Sequence, residues 1–137
     1  MPIKNTLEAK MQYRIKRNKS SVFIPSDFFD LSDRDQIGRV FRQLTRQGLL
    51  IKIGQGVYAR TKVSQITGKP MPEKDLRALA IETAEKLGKK VVPTRYEKAY
   101  NQGKTTQVPT GRVIGVRGRI SRKISYNGKS IKYESVS

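Results

Sequence analysis

The chain has 137 residues, room for one domain or two very small ones, and contains no cysteine and no histidine; disulfides, thiolate metal sites and the commonest general base and metal ligand are therefore excluded. Its 29 Lys and Arg face 11 Asp and Glu, a formal net charge of +18, and such a field draws polyanions in a salt-dependent way. No apolar run is long enough to span a bilayer and MPIKNTLEAK lacks a signal-peptide core, so a cytoplasmic protein with no membrane contact is expected.

Asn5 is expected to cap a first helix, with Glu8 completing a capping-box-like pair. Leu7, Met11 and Ile15 form its apolar stripe, and the helix fades near Asn18. Arg14, Lys16, Arg17 and Lys19 gather at its end, where they suit the helix dipole and can equally touch phosphates. Ser21 to Pro25 reads as extended, because a residue before proline avoids the helical region, and Pro25 opens a short helix over Ser26–Leu31. Phe28, Phe29 and Leu31 are expected in the core.

Residues 32–60, SDRDQIGRVFRQLTRQGLLIKIGQGVYAR, form the stretch around which the rest is arranged. Ser32 is a good N-cap, and Asp33 and Asp35 fall in the first turn, where the dipole favours negative charge. Ile37, Val40, Phe41 and Leu44 make one apolar stripe; Arg39, Arg42 and Arg46 fall opposite, near Asp35 and Gln43. Gly48 stops the helix. Leu49–Ile53 and Val57–Arg60 read as strands joined by a tight Gly54-Gln55-Gly56 turn. A short helix, a turn, a basic helix and a glycine-turned hairpin follow the order of a winged helix-turn-helix. In that geometry Ser32, Arg34, Asp35, Gln36, Arg39 and Gln43 are candidates for base contact. Arginine counts most there, since its fork reaches guanine O6 and N7 together. Arg42 and Arg46 are expected on phosphates, with Lys52, Gln55 and Arg60 as wing contacts.

SVFIPSDFFDL followed by IGRVFRQLTRQGLLIKIGQGVYAR resembles the winged-helix domain of AbiEi-type antitoxins, above all their short stand-alone relatives. The pieces that carry the likeness are Phe23 ahead of Asp27-Phe28, the run Leu44 to Leu49, and Gly54-Gln55-Gly56-Val57-Tyr58. Thr106-Gln107-Val108-Pro109 adds a later match. The resemblance implies a DNA-binding antitoxin and transcriptional autorepressor of a type IV toxin–antitoxin operon. Its partners would be operator double-stranded DNA and a nucleotidyltransferase toxin that it counters without a stable complex.

Thr61 to Pro72 is small, polar and proline-rich and reads as a linker. From Pro72 a helix is expected, with Leu76, Leu79, Ala80, Ala84 and Leu87 as its stripe and Gly88 as its stop. Lys90–Pro93 reads as a strand, Arg95–Tyr100 as a short helix, Thr105–Val108 as a strand or extended turn, and Arg112–Val116 as a strand interrupted by glycines. Residues 122–133 form a hairpin about Asn127-Gly128, which sets Ile124 opposite Ile131, Ser125 opposite Ser130 and Lys123 opposite Lys132. Its apolar face, Ile124, Tyr126, Ile131 and Tyr133, should pack on the preceding helix. The opposed lysines are tolerated by solvent or are answered by a phosphate. Arg117, Arg119, Arg122, Lys123, Lys129 and Lys132 form a candidate second basic surface.

The expected fold is α+β: a winged helix-turn-helix over residues 1–60, a linker over 61–72, and a small helix-plus-antiparallel-sheet domain over 73–137. Two alternatives to the antitoxin stay open: a basic RNA-binding or ribosome-associated protein, in which Tyr96, Tyr100, Tyr126 and Tyr133 stack bases, and a stand-alone transcriptional regulator. No catalytic residue, metal site or cofactor is expected, because the acids are sparse and scattered. Oligomeric state is not readable from the chain.

Overall fold

The computed structural model describes residues 6–106 and 111–136; Asn5 and the Gln107-Val108-Pro109 motif lie outside them. The chain is α+β, with four helices and two four-stranded sheets among the described residues. It divides into two compact units, residues 1–74 and 75–137.

In the first unit, helix α1 spans Leu7–Arg17, and Thr6, rather than Asn5, accepts from the Ala9 amide as its cap. Strand β1 is Val22–Phe23, and a single 3₁₀ turn follows over Pro25–Phe28, where a longer helix was expected. Helix α2 covers Arg34–Arg46. Its cap is Asp33, whose carboxylate accepts from Gln36 N at 2.9 Å; Ser32 stands one place too early for this. Strands β2 (Leu50–Gly54), β3 (Val57–Val63) and β4 (Pro70–Pro72) complete the unit.

Strand β3 is the centre of this sheet. It pairs antiparallel with β2, with β1 (Val22↔Ala59, Phe23↔Tyr58) and with β4 (Thr61↔Pro72, Lys62↔Met71, Val63↔Pro70). Residues 61–72 are therefore a hairpin of the first unit, not a linker. The two prolines that suggested a loop sit on a short edge strand, where a missing N–H is tolerated. The core joins Met11 and Ile15 of α1, Phe23, Phe28, the α2 stripe Ile37, Val40, Phe41 and Leu44, and Leu50 and Tyr58 of the sheet. The Phe28 and Phe41 rings meet edge-on at 5.7 Å, and Phe41 stacks on Tyr58 at 4.5 Å, which fixes α2 against β3. Phe29 does not join them; it is 51 % exposed, because the turn after Phe28 swings it outward.

In the second unit, helix α3 spans Leu76–Lys86, starting four residues later than expected, and is capped by Asp75 accepting from Ala78 N. It covers the sheet formed by β5 (Lys90–Val92), β6 (Val113–Arg117), β7 (Ile124–Tyr126) and β8 (Lys129–Ser135), in the order β5-β6-β8-β7. Helix α4, Arg95–Asn101, lies between β5 and β6 in the chain. Leu79, Ala80, Thr83 and Ala84 of α3 bury against Ile114, Val116, Ile124 and Ile131. The Asn127-Gly128 hairpin has the expected register through Ile124↔Ile131 and Ser125↔Ser130, with both turn residues at positive φ, 51° and 80°. The sheet is not wholly antiparallel, however. Strands β6 and β8 pair in parallel, Val113↔Lys132 to Val116↔Ser135, a long-range arrangement that no local turn specifies.

Candidate nucleic-acid interface

Four fully or nearly fully buried residues hold α2 in place, so its opposite face is directed outward by helical geometry alone. Arg34, Asp35, Gln36, Arg39, Arg42 and Arg46 are exposed on that helix, and Ser32 and Gln43 are half-buried. Both helix ends are tied. Asp33 caps the start; at the other end Gly48 takes φ +79°, and Leu49 N donates to Leu44 O at 2.9 Å. A Cβ on Gly48 would lie 2.8 Å from Pro70 Cγ, so the helix end also depends on strand β4. Lys52 and Gln55 are exposed on the β2–β3 hairpin, whose turn uses Gly56 at φ +67°.

Arg60 departs from its expected role. Its Nε meets Glu73 Oε1 at 2.9 Å, and its Nη1 donates to Ile15 O at 2.6 Å and Asn18 O at 2.7 Å. Glu73 Oε1 also accepts from the buried Ser21 hydroxyl. The guanidinium thus closes the C-terminal end of α1 onto the sheet and is used within the fold, not on the wing. Reading the sequence could not separate it from Lys52, because Glu73, its partner, was assigned to another domain.

The basic cluster at the end of α1 is only partly available. The Arg14 fork grips Asp30 with two bonds of 2.8 Å, donates to Asp27 O, and stands over the Phe28 ring. The bonded pair holds the Asp30 carboxyl below the usual carboxylate range and raises Arg14. Arg17 lies over the Tyr13 ring at 4.5 Å, while Lys16 and Lys19 are exposed.

On the second unit Arg117, Arg119, Lys123, Lys129 and Lys132 are exposed and Arg122 is half-buried. The strands distribute them rather than gather them. Lys132 lies beside Val113, whereas Lys129 is at the turn, about 10 Å further along the strand. The β7–β8 ladder ends at Ile124↔Ile131, so Lys123 and Lys132 stand one step beyond it. Register instead pairs Arg117 with Lys90, and the side chain of Lys89 approaches Gly118. Those two lysines were missed, since only the β5–β6 pairing brings them to the arginine.

Among the described residues no group of three or more acidic side chains is placed to hold a metal ion, and no helix is long and apolar enough to cross a membrane. What these units define is a small basic α+β protein carrying an arginine-faced helix joined to a glycine-turned hairpin. Residues 10–137 match the family described as "Family of unknown function (DUF6088)", and the chain belongs to that family. No curated protein and no solved structure matches it.

Proposed function

We propose that the first unit is a winged helix-turn-helix that binds duplex DNA, with α2 in the major groove and the β2–β3 hairpin as the wing. In this reading Arg34, Asp35, Gln36, Arg39 and Gln43 face base edges, Ser32 lies at the entry, and Arg42, Arg46, Lys52 and Gln55 hold phosphates. The observation that carries the reading is the pairing of an exposed Arg39–Arg42–Arg46 face with an α2 core face that is closed to solvent, followed at once by an exposed Lys52–Gln55 turn. A net charge of +18 supplies the salt-dependent attraction such binding needs.

The role follows from the same reading and from the likeness to AbiEi-type antitoxins: an antitoxin that represses its own type IV operon by occupying operator DNA and counters a nucleotidyltransferase toxin without a stable complex. The test is a promoter duplex against random duplex, read by fluorescence anisotropy. Arg39→Ala is expected to cost about 1–3 kcal/mol on the operator and to relax base preference, whereas Lys52→Ala weakens both duplexes alike. Equal losses on both duplexes for Arg39→Ala would remove it from base readout. For the antitoxin role, co-expression with a nucleotidyltransferase toxin of a type IV pair should relieve its growth arrest; unrelieved arrest leaves a regulator alone.

A further inference from the structure

We propose that the groove between α1 and the Leu31 turn is a docking site for an acidic amphipathic helix of a partner protein. This inference goes beyond the DNA reading and does not rest on it. Helix α1 is held from its other side: Met11 and Ile15 are buried in the core, and Leu7 packs against it. Thr6 caps its start, and Arg60 donates to two carbonyls at its end. The wall that α1 offers the groove is therefore fixed without help from Lys10, Tyr13 or Arg17.

The groove encloses about 540 Å³. Ala9, Tyr13 and Leu31 supply its apolar lining, and Lys10, Arg14 and Arg17 its cations. Tyr13 is 54 % exposed, a large ring that the core does not use. The Arg17 guanidinium stands over that ring at 4.5 Å, so cation and apolar surface meet in one place. Arg14 is already answered by Asp30, which leaves the exposed Lys10 and Arg17 as the cations a ligand can reach. They are seven residues apart, two helical turns or roughly 10 Å, with Tyr13 between them. Helical period sets all three within about 60° of one another around the axis. An apolar lining with a cation at each end complements a helix that carries carboxylates at i and i+7 and apolar side chains at i+3 and i+4. A duplex backbone fits less well: it has no use for the ring, and the middle cation, Arg14, is neutralised in advance. A second copy brings its own charge of +18 and is opposed by repulsion.

The test uses the full chain and a fluorescein-labelled, alanine-based helical peptide of about 18 residues, read by anisotropy. The peptide carries two glutamates at i and i+7 and two leucines at i+3 and i+4. Two control peptides replace either the glutamates by glutamine or the leucines by serine. The parent peptide should bind saturably and both controls more weakly. Tyr13→Ala should weaken the parent by about 5- to 30-fold. Lys10→Gln/Arg17→Gln should weaken it by about fivefold, yet bind the glutamine peptide within about twofold of the unaltered chain. Lys16→Gln/Lys19→Gln makes the same change of charge outside the groove and should leave peptide affinity within about twofold. An equal loss in that variant would assign the binding to bulk charge and overturn the proposal. So would unchanged affinity in Tyr13→Ala, full binding of the serine peptide, or no saturable binding of the parent. A promoter-duplex salt slope lowered by about 2 in Lys10→Gln/Arg17→Gln would give these cations to phosphates instead, and self-association abolished by Tyr13→Ala would seat a second copy there; either result refutes the partner helix. Far-UV circular dichroism checks folding, which substitution of these exposed side chains should leave intact.

Discussion

Replacing Arg60 by methionine tests whether this arginine belongs to the fold or to the DNA. Methionine keeps much of the apolar stem and removes the fork. Three bonds disappear: one to Glu73 at 2.9 Å and two to carbonyls of Ile15 and Asn18 at 2.6 and 2.7 Å. Charged hydrogen bonds are worth about 1.5–3 kcal/mol when sheltered. Here the Arg60 and Glu73 side chains are 21 % and 25 % exposed, so about 1 kcal/mol for each bond is the sounder figure. The expected loss is then about 2–4 kcal/mol, a large part of the stability of a unit this small. Urea unfolding followed by far-UV circular dichroism measures it, and the thermal midpoint should fall by about 10 °C or more. Measured well below that midpoint, promoter affinity should change by less than about twofold and its salt slope should stay put. A stability change under about 1 kcal/mol, together with a slope lowered by about 1, would return Arg60 to the phosphate backbone and refute this account.

Two further outcomes are expected. Burial pushes the Tyr133 hydroxyl up to about 12, while a hydrogen bond with Thr83 acts in the opposite direction. The unfolded phenol titrates near pH 10, so stability from this group is complete below pH 10 and is lost as pH rises toward 12. At 1.36 kcal/mol for each pH decade, reduced for partial solvent access, the loss is about 1–2 kcal/mol. Tyr133→Phe should start lower by about 1 kcal/mol for its lost bond to Ala80 O and then decline less with alkali; an identical alkaline decline would remove Tyr133 as the cause. Lys123→Ser/Lys132→Ser should lower the promoter salt slope by about 2 if these lysines answer phosphates, and an unchanged slope and affinity would mark them as solvated.

The local features of the fold could be read where a short segment carries its own instruction. The α2 stripe, its glycine stop, the Asn127-Gly128 register and the packing of Ile124 and Ile131 against α3 all arise within a dozen residues or from strict periodicity. What escaped was non-local. The Ser21–Pro25 segment reads as extended, but β1 within it is two residues long and β4 three, too short to show alternation, and their pairing comes from the edge that β3 offers. The parallel β6–β8 pairing joins segments separated by a loop, strand β7 and its turn. Site residues divide the same way. Exposure of Arg39, Arg42 and Arg46 follows from helical period, but the use of Arg60 follows from Glu73, and the Arg117–Lys90 pairing from strand register. Side-chain type named the possible chemistry; the partner decided which chemistry each group is free to perform.

The carboxylate of Glu73 takes bonds from Ser21 and Arg60, and its backbone N–H donates to Arg60 O at 3.1 Å. Pro70 meanwhile closes over Gly48 at the end of α2. A fragment ending at Arg60 would therefore contain every residue assigned to the operator and still lack its fold, with a guanidinium and a helix end left without their counterparts. On the proposed reading, the smallest piece expected to bind DNA on its own runs through Glu73. Within it, a protease should find the Ser64–Lys69 tip, where Ile66 is 96 % exposed, long before it finds the strands on either side.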